Sequence, residues 1–567
     1  MSLDNVLSWA TENGAIIDND VTFEKTEKGI SAIYKGQDKF ENNQDLLKVP
    51  ESVTITPLLA EKVFGGNAAT KRNRNPLTQL LLAKLRFDKE ETQTDELNVS
   101  KFFKPYVDSL PTGKEIGSPL FWDDAERALI KGTDAHLAID HQTSSLVEEW
   151  YQIIKSLDSK YHTKDYEQDI SFYQTYVKGK SEQFVSYFNN PNSWTSFPAY
   201  LWAAATFTSR AFPFLLAGNE ECKDMNEAFL VPIFDLLNHS NEVEVKWDSA
   251  KDGNDRVFRF KTQQEIINGS EIFNSYGPKT NQELLFGYGF VLDNNKEDST
   301  VLALRIPEEN IEAANKFGLS LTNNEVAYKI TKSAPLSENL VKLFCFLVKN
   351  EHEKTVTLRN KLEGLQQLQK IVQQKIDFLK IFKNEGNVSS HIVKIAKSYK
   401  TTQRLLYQAT FEEITKTEKS LLKHFKPLSF KTIYKNDKTF SNSLLLIFGI
   451  QDYEQLAKSD EVDRALLLWI IRTGNKKHYN EKSVLPDWIN AKYQYICQRL
   501  IVKPQDVVEY RDIFKALFPS IATKIPEVYG KGDWGIKSFI TAGKVIDEIS
   551  FTRSANNEIF LIENVDL

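Results

Sequence analysis

The chain has 567 residues and a mass of 65.1 kDa, which is too long for one compact core and predicts two or more domains. Hydrophobic residues make up 41% of it, as in ordinary globular proteins, so the composition excludes a disordered chain. The formal net charge of −6 argues against a general nucleic-acid binder.

The first residues, MSLDNVLSWATENGAII, lack the basic region, apolar run and cleavage site of a signal peptide. No apolar run approaches the roughly 18 residues that a membrane-spanning helix needs. The three cysteines, Cys222, Cys345 and Cys497, have the spacing of neither a disulfide framework nor a zinc site. These features predict a soluble protein of the cytoplasm, with the nucleus as the alternative compartment.

In chain order, residues up to about 60 alternate short β-like runs with Gly, Asn and Asp turns and end in LLKVPESVTIT, a pattern of strand, turn and strand. From about 58 to 215 apolar residues recur every three or four positions, as in NPLTQLLLAKLRF, which predicts helices. Short β-like runs return from 229 to 305. Helical spacing resumes after about 335, so the chain mixes β-rich and helical zones.

One helical pair in the last zone is strongly basic. Apolar residues from Leu358 to Leu379 and from Ile392 to Leu422 keep helical spacing, and the turn-rich KNEGNVSS joins them, which predicts a long antiparallel hairpin. Residues 349–426 hold 16 Lys and Arg against 8 Asp and Glu, a local charge of +8 that leaves −14 for the rest of the chain. We interpret these charges as a solvated face or as a contact for ribosomal RNA or an acidic partner.

Two segments hold the polar and aromatic residues of a candidate site. FLVPIFDLLNHS sets Asp235, Asn238 and His239 after an apolar run, and EIFNSYGPKTNQELLFGYGF follows some thirty residues later with Tyr276 and Tyr288. No strand, glycine turn and helix surround the Gly-Tyr-Gly in a dinucleotide-binding order, and a Walker sequence is absent. A nucleotide-binding loop is therefore disfavoured.

Metal and serine chemistry are disfavoured as well. His239 has no second His or Cys at ligand spacing, so we predict no metal site. Neither Ser240 nor Ser275 lies in the Gly-x-Ser-x-Gly setting of a nucleophilic serine.

The two segments, in the forms LVPIFDLLNHS and GSEIFNSYGPKTNQELLFGYGF, resemble the signatures of SET-domain protein lysine methyltransferases. The similar branch includes the Rubisco large-subunit methyltransferase and the fungal ribosomal lysine methyltransferases. Three further stretches agree and lie in the right order: FKPYVDSLP, SPLFWDDAERALIKGT and SFPAYLWAAATFTSRAF. SWATENGAII and SFTRSANNE, near the two ends, look most like the first type of the fungal ribosomal lysine methyltransferases.

The resemblance implies an α+β fold with a β-rich SET domain over residues 1–305, interrupted by a helical insertion at about 58–215. It implies a helical C-terminal substrate-binding domain over 335–567. It also implies S-adenosylmethionine as the cofactor and a protein lysine as the methyl acceptor. By the same resemblance, Asn238 and His239 lie at a knot-like crossing of the chain, where burial of their polar atoms is tolerable because ligand and backbone pair with them.

Roles for individual residues follow from the resemblance. Tyr276 is expected to be catalytic, with its hydroxyl near the transferred methyl group. The predicted cofactor-binding residues are Lys28, Gly29, Ile30, Arg210, Asn238, His239 and Tyr276, and the predicted substrate-binding residues are Arg210, Phe214, Asp235, Tyr288 and Phe290. Glu27 departs from the family pattern, because many relatives carry a glycine there; this departure puts close approach of the chain to the cofactor in question.

An aromatic channel suits methyl transfer because a free lysine, with a pKa of about 10.4, is protonated near neutrality. An apolar channel beside a cationic sulfonium disfavours the ammonium form, first by desolvation and then by like charge. The simpler alternatives are that Tyr276, Tyr288 and Phe290 are packing residues, that Arg210 is a surface cation, and that Asn238 is a turn residue.

We predict a protein-lysine N-methyltransferase whose substrate is a basic protein of the large ribosomal subunit. The alternatives are a non-catalytic SET-fold binder or escort for such a protein, and a methyltransferase for a translation factor or another non-ribosomal protein. A histone methyltransferase is disfavoured because no cysteine-rich zinc segments flank the SET-like region. We further predict a monomer without sequence-specific nucleic-acid binding.

Overall fold

The computed structural model describes residues 3–26, 29–65, 73–177, 193–218, 222–252, 255–384, 386–480, 482–563 and 565–567. The chain divides into two compact units, the first formed by residues 1–299 and 379–403 and the second by 300–378 and 404–567. The predicted domain boundaries, with a SET domain ending at 305 and a helical domain starting at 335, stay a prediction. The compact units differ from them at the tip of the basic hairpin, residues 379–403. Residues 379–403 belong to the first unit because Ile395, Ala396 and Tyr399 are buried in its core.

The described residues of the first unit form nine strands in three antiparallel sheets. They are β1 (Ile16–Ile17), β2 (Val21–Thr26), β3 (Gly29–Tyr34), β4 (Asp45–Pro50), β5 (Ala211–Pro213), β6 (Ala228–Leu230), β7 (Val245–Asp252), β8 (Asp255–Thr262) and β9 (Glu271–Ile272). The sheets have the orders β1-β4-β8-β7, β2-β3-β9 and β5-β6. The register pairs Val49 with Phe258 and Ala32 with Ile272, which places fully or almost fully buried side chains together.

Helices occupy much of the stretch between β4 and β5, as the spacing predicted. They are α2 (Pro57–Phe64), α3 (Asn75–Phe87), α4 (Val99–Ser109), α5 (Gly113–Ile116), α6 (Asp124–Ala128), α7 (Asp134–Lys155), α8 (Tyr166–Val177) and α9 (Phe197–Arg210); α10 (Asn281–Tyr288) follows the strands. In α9, Ser196 caps the first turn and Pro198 lies within it. The helix is buried from Phe197 to Phe207 and ends at Arg210.

Two expectations for the first sixty residues are wrong. Residues Leu3–Glu12 form a helix, α1, in which Val6, Trp9 and Ala10 are buried at helical spacing. In LLKVPESVTIT the predicted second strand is a short 3-10 helix (Glu51–Val53) followed by one bridge between Ile55 and Leu230. Local helical spacing accounts for the first outcome, whereas pairing with a distant segment decided the second.

The second unit is mainly helical, as predicted. Its helices, two of which extend into the first unit, are α11 (Ile311–Lys316), α12 (Glu338–Val348), α13 (Leu358–Lys380), α14 (Ser390–Phe425), α15 (Phe430–Asn436), α16 (Lys438–Phe448), α17 (Tyr453–Lys458), α18 (Val462–Gly474), α19 (Asp487–Arg499), α20 (Pro504–Leu517), α21 (Ser520–Lys524), α22 (Pro526–Tyr529) and α23 (Ile536–Ile549). Its strands are β10 (Ser299–Arg305), β11 (Glu325–Thr331), β12 (Leu428–Ser429), β13 (Ser550–Arg553) and β14 (Glu558–Leu561). No strands were predicted after residue 305, so β11 to β14 were missed.

The basic hairpin is confirmed as α13 and α14. Gln369 Nε2 donates to Thr415 Oγ1 at 2.8 Å, and Lys400 Nζ donates to the Ile381 carbonyl at 2.6 Å. Both contacts join the two sides of the same turn, and residues further before the turn meet residues further after it. This is the pattern of antiparallel helices. No helix in the described part of the chain is long and apolar enough to cross a membrane.

Candidate active site

Two segments far apart in sequence run side by side in the first unit. The Asn274 N–H donates to the Asn238 carbonyl at 2.7 Å, and the Ser240 N–H donates to the Asn274 carbonyl at 3.0 Å. His239 and Asn274 therefore form a parallel bridge. Parallel neighbours cannot be joined by a tight turn, so this pairing of residues 238–240 with Asn274, which we call the crossing, depends on the fold of the whole unit.

The Asn238 amide ties the crossing to two strands. Its Nδ2 donates to the Ile30 carbonyl at 3.0 Å, to Ser31 Oγ at 3.2 Å and to Glu271 Oε1 at 2.7 Å. Ile30 and Ser31 begin β3, and Glu271 begins β9. One half-buried amide thus satisfies acceptors on both strands, which is the condition under which a polar group is tolerated inside a protein.

The partners of His239 define its tautomer. Nδ1 accepts from the Tyr276 N–H at 3.0 Å, so the ring proton is on Nε2, which donates to Asn241 Oδ1 at 2.7 Å. Burial lowers the pKa of His239, which keeps the imidazole neutral and able to accept. The ring also stacks on Tyr276, with 4.8 Å between centroids.

Tyr276 and Tyr288 form an aromatic stack. Their ring centroids are 4.4 Å apart with an interplanar angle of 17°, and Phe290 lies 6.2 Å from Tyr288. The Tyr276 hydroxyl donates to the Leu237 carbonyl at 2.9 Å. Burial raises the pKa of Tyr276 and raises that of Tyr288 to about 12, so both phenols stay protonated at neutral pH.

Helix α10 places Tyr288 against this stack. Thr280 and Glu283 form a capping box at its start, with the Thr280 N–H donating to Glu283 Oε2 at 2.8 Å. The helix ends at Gly289, whose φ is +72°. A Cβ there would be 2.0 Å from the Ile116 carbonyl oxygen, so only glycine fits at this turn.

Asp235 is the centre of a second polar group. Arg210 Nη1 donates to its carbonyl at 2.9 Å and to Oδ2 at 3.1 Å, and the Tyr106 hydroxyl donates to Oδ2 at 2.9 Å. Its Oδ1 is buried without a hydrogen-bond partner among the described residues. Burial raises the pKa of Asp235, and the contacts with Arg210 and Tyr106 oppose that shift.

The backbone before Asp235 is strained. Ile233 is buried and has a φ of +74°, a conformation that β-branched residues rarely adopt. Such strain persists only where the surrounding structure imposes it, and it is concentrated at functional sites.

These groups meet at a cavity of about 560 Å³, whose walls include Arg210, Asp235, Trp247, Tyr276, Lys279 and Tyr288. The volume lies in the range that holds small-molecule ligands. Polar groups such as Arg210 and Asp235 meet aromatic rings in this wall, a combination that is typical of a site that orients a ligand.

Comparison with known proteins identifies the family. The chain is 35% identical to the protein-lysine N-methyltransferase EFM1 of Saccharomyces cerevisiae, and the alignment covers 99% of this chain and 98% of that protein. The chain belongs to the SET-domain protein-lysine N-methyltransferases. It is thus an enzyme, and the non-catalytic alternative is set aside.

Three further similarities fit this SET-domain methyltransferase. It is 29% identical to ribosomal lysine N-methyltransferase 1 of the same yeast, over 87% of this chain and 89% of that protein. The family model described as the EFM1 middle domain matches residues 299–425. Among solved structures, the SET domain of LSMT bound to methyllysine and AdoHcy has a TM-score of 0.52 at 19% identity, covers 74% of this chain and 93% of that chain, and so supports the fold.

The methyltransferase structure brings most of the predicted site residues together. Asn238, His239, Tyr276, Tyr288 and Phe290 are linked by ring contacts and hydrogen bonds around the crossing, and Ile30 joins them through its carbonyl. Arg210 and Asp235 pair with each other at the cavity wall. The roles assigned to these residues stay predictions.

Three predicted residues need separate comment. Gly29 has a φ of +104° and open space where a side chain would project, as backbone contact with a ligand requires, whereas Lys28 lies outside the described residues, as does Glu27. Phe214 is fully buried against Phe229 and does not line the cavity. Its aromatic packing explains its position without any substrate contact.

Sequence reasoning missed several residues of the site. Tyr106, which hydrogen-bonds Asp235, lies within FKPYVDSLP, so that motif carried a signal that was not assigned to the site. Glu271, which accepts from Asn238, and Lys279, which lines the cavity, both lie within the second signature but were not assigned to the site. Trp247 also lines the cavity and had no signal, because a tryptophan is not diagnostic by itself.

The residues present fit S-adenosylmethionine. Arg210 keeps Nε and Nη2 without partners among the described residues and is one-fifth exposed, so it offers a guanidinium edge to a carboxylate. Tyr276 and Tyr288 line the cavity as aromatic groups beside which a cationic sulfonium is tolerated. The described residues contain no group of His, Cys, Asp and Glu placed to hold a metal ion.

Proposed function

We propose that this methyltransferase acts on a protein of the translation machinery outside the ribosome, such as a translation factor. The name of EFM1 refers to a protein lysine without mention of the ribosome, and the similarity to EFM1 is both higher and more extensive than the similarity to ribosomal lysine N-methyltransferase 1. A second candidate is the basic large-subunit ribosomal protein predicted from the sequence. It is supported by relatives named ribosomal lysine N-methyltransferases in two yeasts.

S-adenosylmethionine is the methyl donor of this enzyme family and supplies a methyl group on a cationic sulfur. The amine that receives this group must be neutral and aligned with the bond that breaks. The protein's own residues therefore have to hold the lysine side chain in one direction and favour its uncharged form.

The stack of Tyr276 on Tyr288 is the observation that supports methyl transfer to a lysine side chain. The two half-buried rings give the cavity an aromatic surface, against which the methylene chain of a lysine can pack. Loss of hydration beside such a wall lowers the pKa of an amine. The rings thus position the lysine and favour its reactive form.

The hydroxyl of Tyr276 has a fixed direction. Its hydrogen is donated to the Leu237 carbonyl, so the lone pairs of Oη are left to accept weak contacts from a polarised C–H or from the amine. Because burial raises the pKa values of Tyr276 and Tyr288, neither phenol serves as a base at neutral pH. The lysine proton therefore leaves to water before the methyl group is transferred.

The substrate is tested by labelling. Purified enzyme and labelled S-adenosylmethionine are incubated separately with ribosomal large subunits and with ribosome-free soluble protein, and the labelled band is identified by mass spectrometry. We expect a labelled lysine in the soluble fraction that is absent with Tyr276→Phe enzyme. A band confined to the large subunits would support the ribosomal candidate instead.

We also propose a cytoplasmic location, because translation proteins are present in that compartment, and a monomeric enzyme. Fluorescence microscopy of a tagged protein checks the first statement. Sedimentation equilibrium checks the second, and a nuclear signal or a stable dimer would contradict the respective statement.

A further inference from the structure

A short part of the second unit carries charges of nearly one sign. Residues 416–438, from the end of α14 to the start of α16, contain two acids, Glu418 and Asp437, and seven lysines: Lys416, Lys419, Lys423, Lys426, Lys431, Lys435 and Lys438. All seven lysines are exposed. We call these seven side chains the lysine patch. The segment has a formal charge of +5 within a chain of net charge −6, which leaves −11 elsewhere.

Both acids of this segment are directed into the protein. Glu418 accepts from Arg553 Nη2 at 2.8 Å and from Arg553 Nε at 3.1 Å. Asp437 is 1% exposed and accepts from Arg472 Nε at 3.0 Å and Arg472 Nη2 at 3.2 Å. Their negative charge is thus spent on internal arginines, and the surface of the segment presents cations.

The lysines themselves are largely without ion pairs. Within the described residues, Lys416 alone of the seven has an acidic partner, Glu413 at 3.1 Å. Such an exposed pair three residues apart contributes little, since both side chains are solvated. The positive charge of the patch is therefore available to a ligand.

The backbone keeps the two halves of the patch together. Lys416, Lys419 and Lys423 recur at spacings of three and four, which places them along one side of the end of α14 over about 10 Å, and Lys426 directly follows the helix. The sheet β12-β14-β13 anchors the chain directly after α14, because Ser429 pairs with Phe560 while Arg553, which holds Glu418, pairs with Glu558. Helix α15 starts directly after β12 and carries Lys431 and Lys435 one turn apart.

We propose that the lysine patch binds the phosphate backbone of RNA without sequence specificity. This function goes beyond the proposed methylation and does not depend on it. The patch consists of lysines without arginines, and a lysine binds a phosphate as a point charge, without the fixed bidentate geometry by which arginine selects one partner. Backbone phosphates provide a regular row of single negative charges, which such a patch complements.

An acidic protein partner fits less well. Protein interfaces are depleted in lysine and depend on buried aromatic, apolar or arginine anchors. Residues 416–438 present no large hydrophobic side chain among the exposed ones, and Phe425 and Tyr434 are both partly buried. The patch thus has the charge for a polyanion but not the anchors for a protein.

The test uses the full-length enzyme and a fluorescein-labelled 20-nucleotide oligouridine, with anisotropy measured at several KCl concentrations. The patch variant is K419Q/K423Q/K431Q/K435Q. The matched control is K332Q/K354Q/K524Q/K531Q, which removes four exposed lysines of the same unit outside the patch. Thermal melting of the three proteins confirms that each is folded.

We expect the patch variant to bind at least about tenfold more weakly at 100 mM KCl, whereas the control binds like the wild type. The slope of log K against log salt should fall by roughly 3, because each phosphate contact with a single strand contributes about 0.7. In addition, RNA should protect Lys419 and Lys423 of the wild type from acetylation, as measured by mass spectrometry.

Three results would overturn the proposal. The first is the absence of salt-dependent binding of the oligonucleotide by wild type. The second is an equal loss of binding in the patch variant and the control. The third is displacement of the RNA by a 20-residue polyglutamate peptide at lower concentration than by unlabelled oligouridine, which would assign the patch to an acidic protein.

Discussion

The crossing around Asn238 and the lysine patch use polar residues in opposite ways. At the crossing, one amide reaches three acceptors on two strands, and a neutral imidazole bridges Tyr276 and Asn241. In the patch, the acids turn inward to Arg553 and Arg472 while the lysines stay in solvent. At the crossing, almost every polar group has a hydrogen-bond partner. In the patch, nearly all of the lysine charges remain available to a ligand.

The difference concerns where specificity comes from. Buried hydrogen bonds have one geometry, and an unmade bond there costs about 1 to 3 kcal/mol, so the crossing holds its residues in one arrangement. Exposed charges are screened within about 8 Å at physiological salt and accept many geometries. We therefore expect substitutions at the crossing to change chemistry and folding, and substitutions in the patch to change encounter with a polyanion.

The largest effect is expected for Tyr276→Phe. This change keeps the ring stack and removes the hydroxyl held by Leu237, so kcat should fall by about a hundredfold or more, the size seen when one positioned polar group is removed from an active site. Tyr288→Phe is the matched control, because its hydroxyl has no hydrogen-bond partner among the described residues; its fall should be smaller. Single-turnover assays with labelled cofactor measure both, and equal kcat values for Tyr276→Phe and wild type would remove the catalytic role.

Asn238→Ala should have the next largest effect. Three acceptors, on Ile30, Ser31 and Glu271, lose their donor, so we expect a loss of roughly 2 to 4 kcal/mol of unfolding free energy. Asn238→Asp has the same shape but sets a carboxylate against those oxygens and should be at least as unstable. Urea unfolding measures both, and wild-type stability in either variant would show that the amide does not hold the crossing.

Asp169 is a buried carboxyl group without an ion pair among the described residues, and its pKa links stability to pH. It is 6% exposed, its Oδ2 accepts from Thr195 Oγ1 at 2.8 Å, and burial raises its pKa to about 7. The folded state thus binds the proton more tightly than the unfolded state. The stabilisation is complete below about pH 4 and is lost as the pH rises to about 7, at no more than about 1.4 kcal/mol per pH unit.

Asp169→Asn removes this titration. We expect the variant to be more stable than wild type by about 1 to 3 kcal/mol at pH 8, with the difference shrinking towards pH 5. Chemical unfolding at pH 5, 6, 7 and 8 measures it. A difference that does not change with pH would mean that Asp169 is already ionised in the folded protein at pH 5.

The smallest effect should come from the lysine patch on methylation itself. The cavity walls contain no patch residue, so K419Q/K423Q/K431Q/K435Q should change kcat/KM for a free protein substrate by less than about twofold. Steady-state assays at 50 and 300 mM salt provide the comparison. A tenfold loss would mean that the patch grips the substrate rather than RNA.

Much of the fold was predictable because it depends on local periods. Helical spacing predicted the helices between β4 and β5 and the hairpin of α13 and α14. The same spacing was present in α1 but was masked by the β-like runs after it. The short strand β12 pairs with β14, more than a hundred residues away, so local pattern could not reveal it.

The sequence by itself determined the family, the enzyme class and most residue types of the candidate site. It did so because Asn238-His239 and Ser275-Tyr276-Gly277, with their apolar neighbours, lie in segments that resemble the signatures of a known family. Only the tertiary structure decided the partners. Asn238 meets Ile30 across 208 positions, Tyr106 meets Asp235 across 129, and Glu418 meets Arg553 across 135. Such contacts depend on strand register and on the burial that makes an unpaired polar atom costly, and neither is encoded within a short segment.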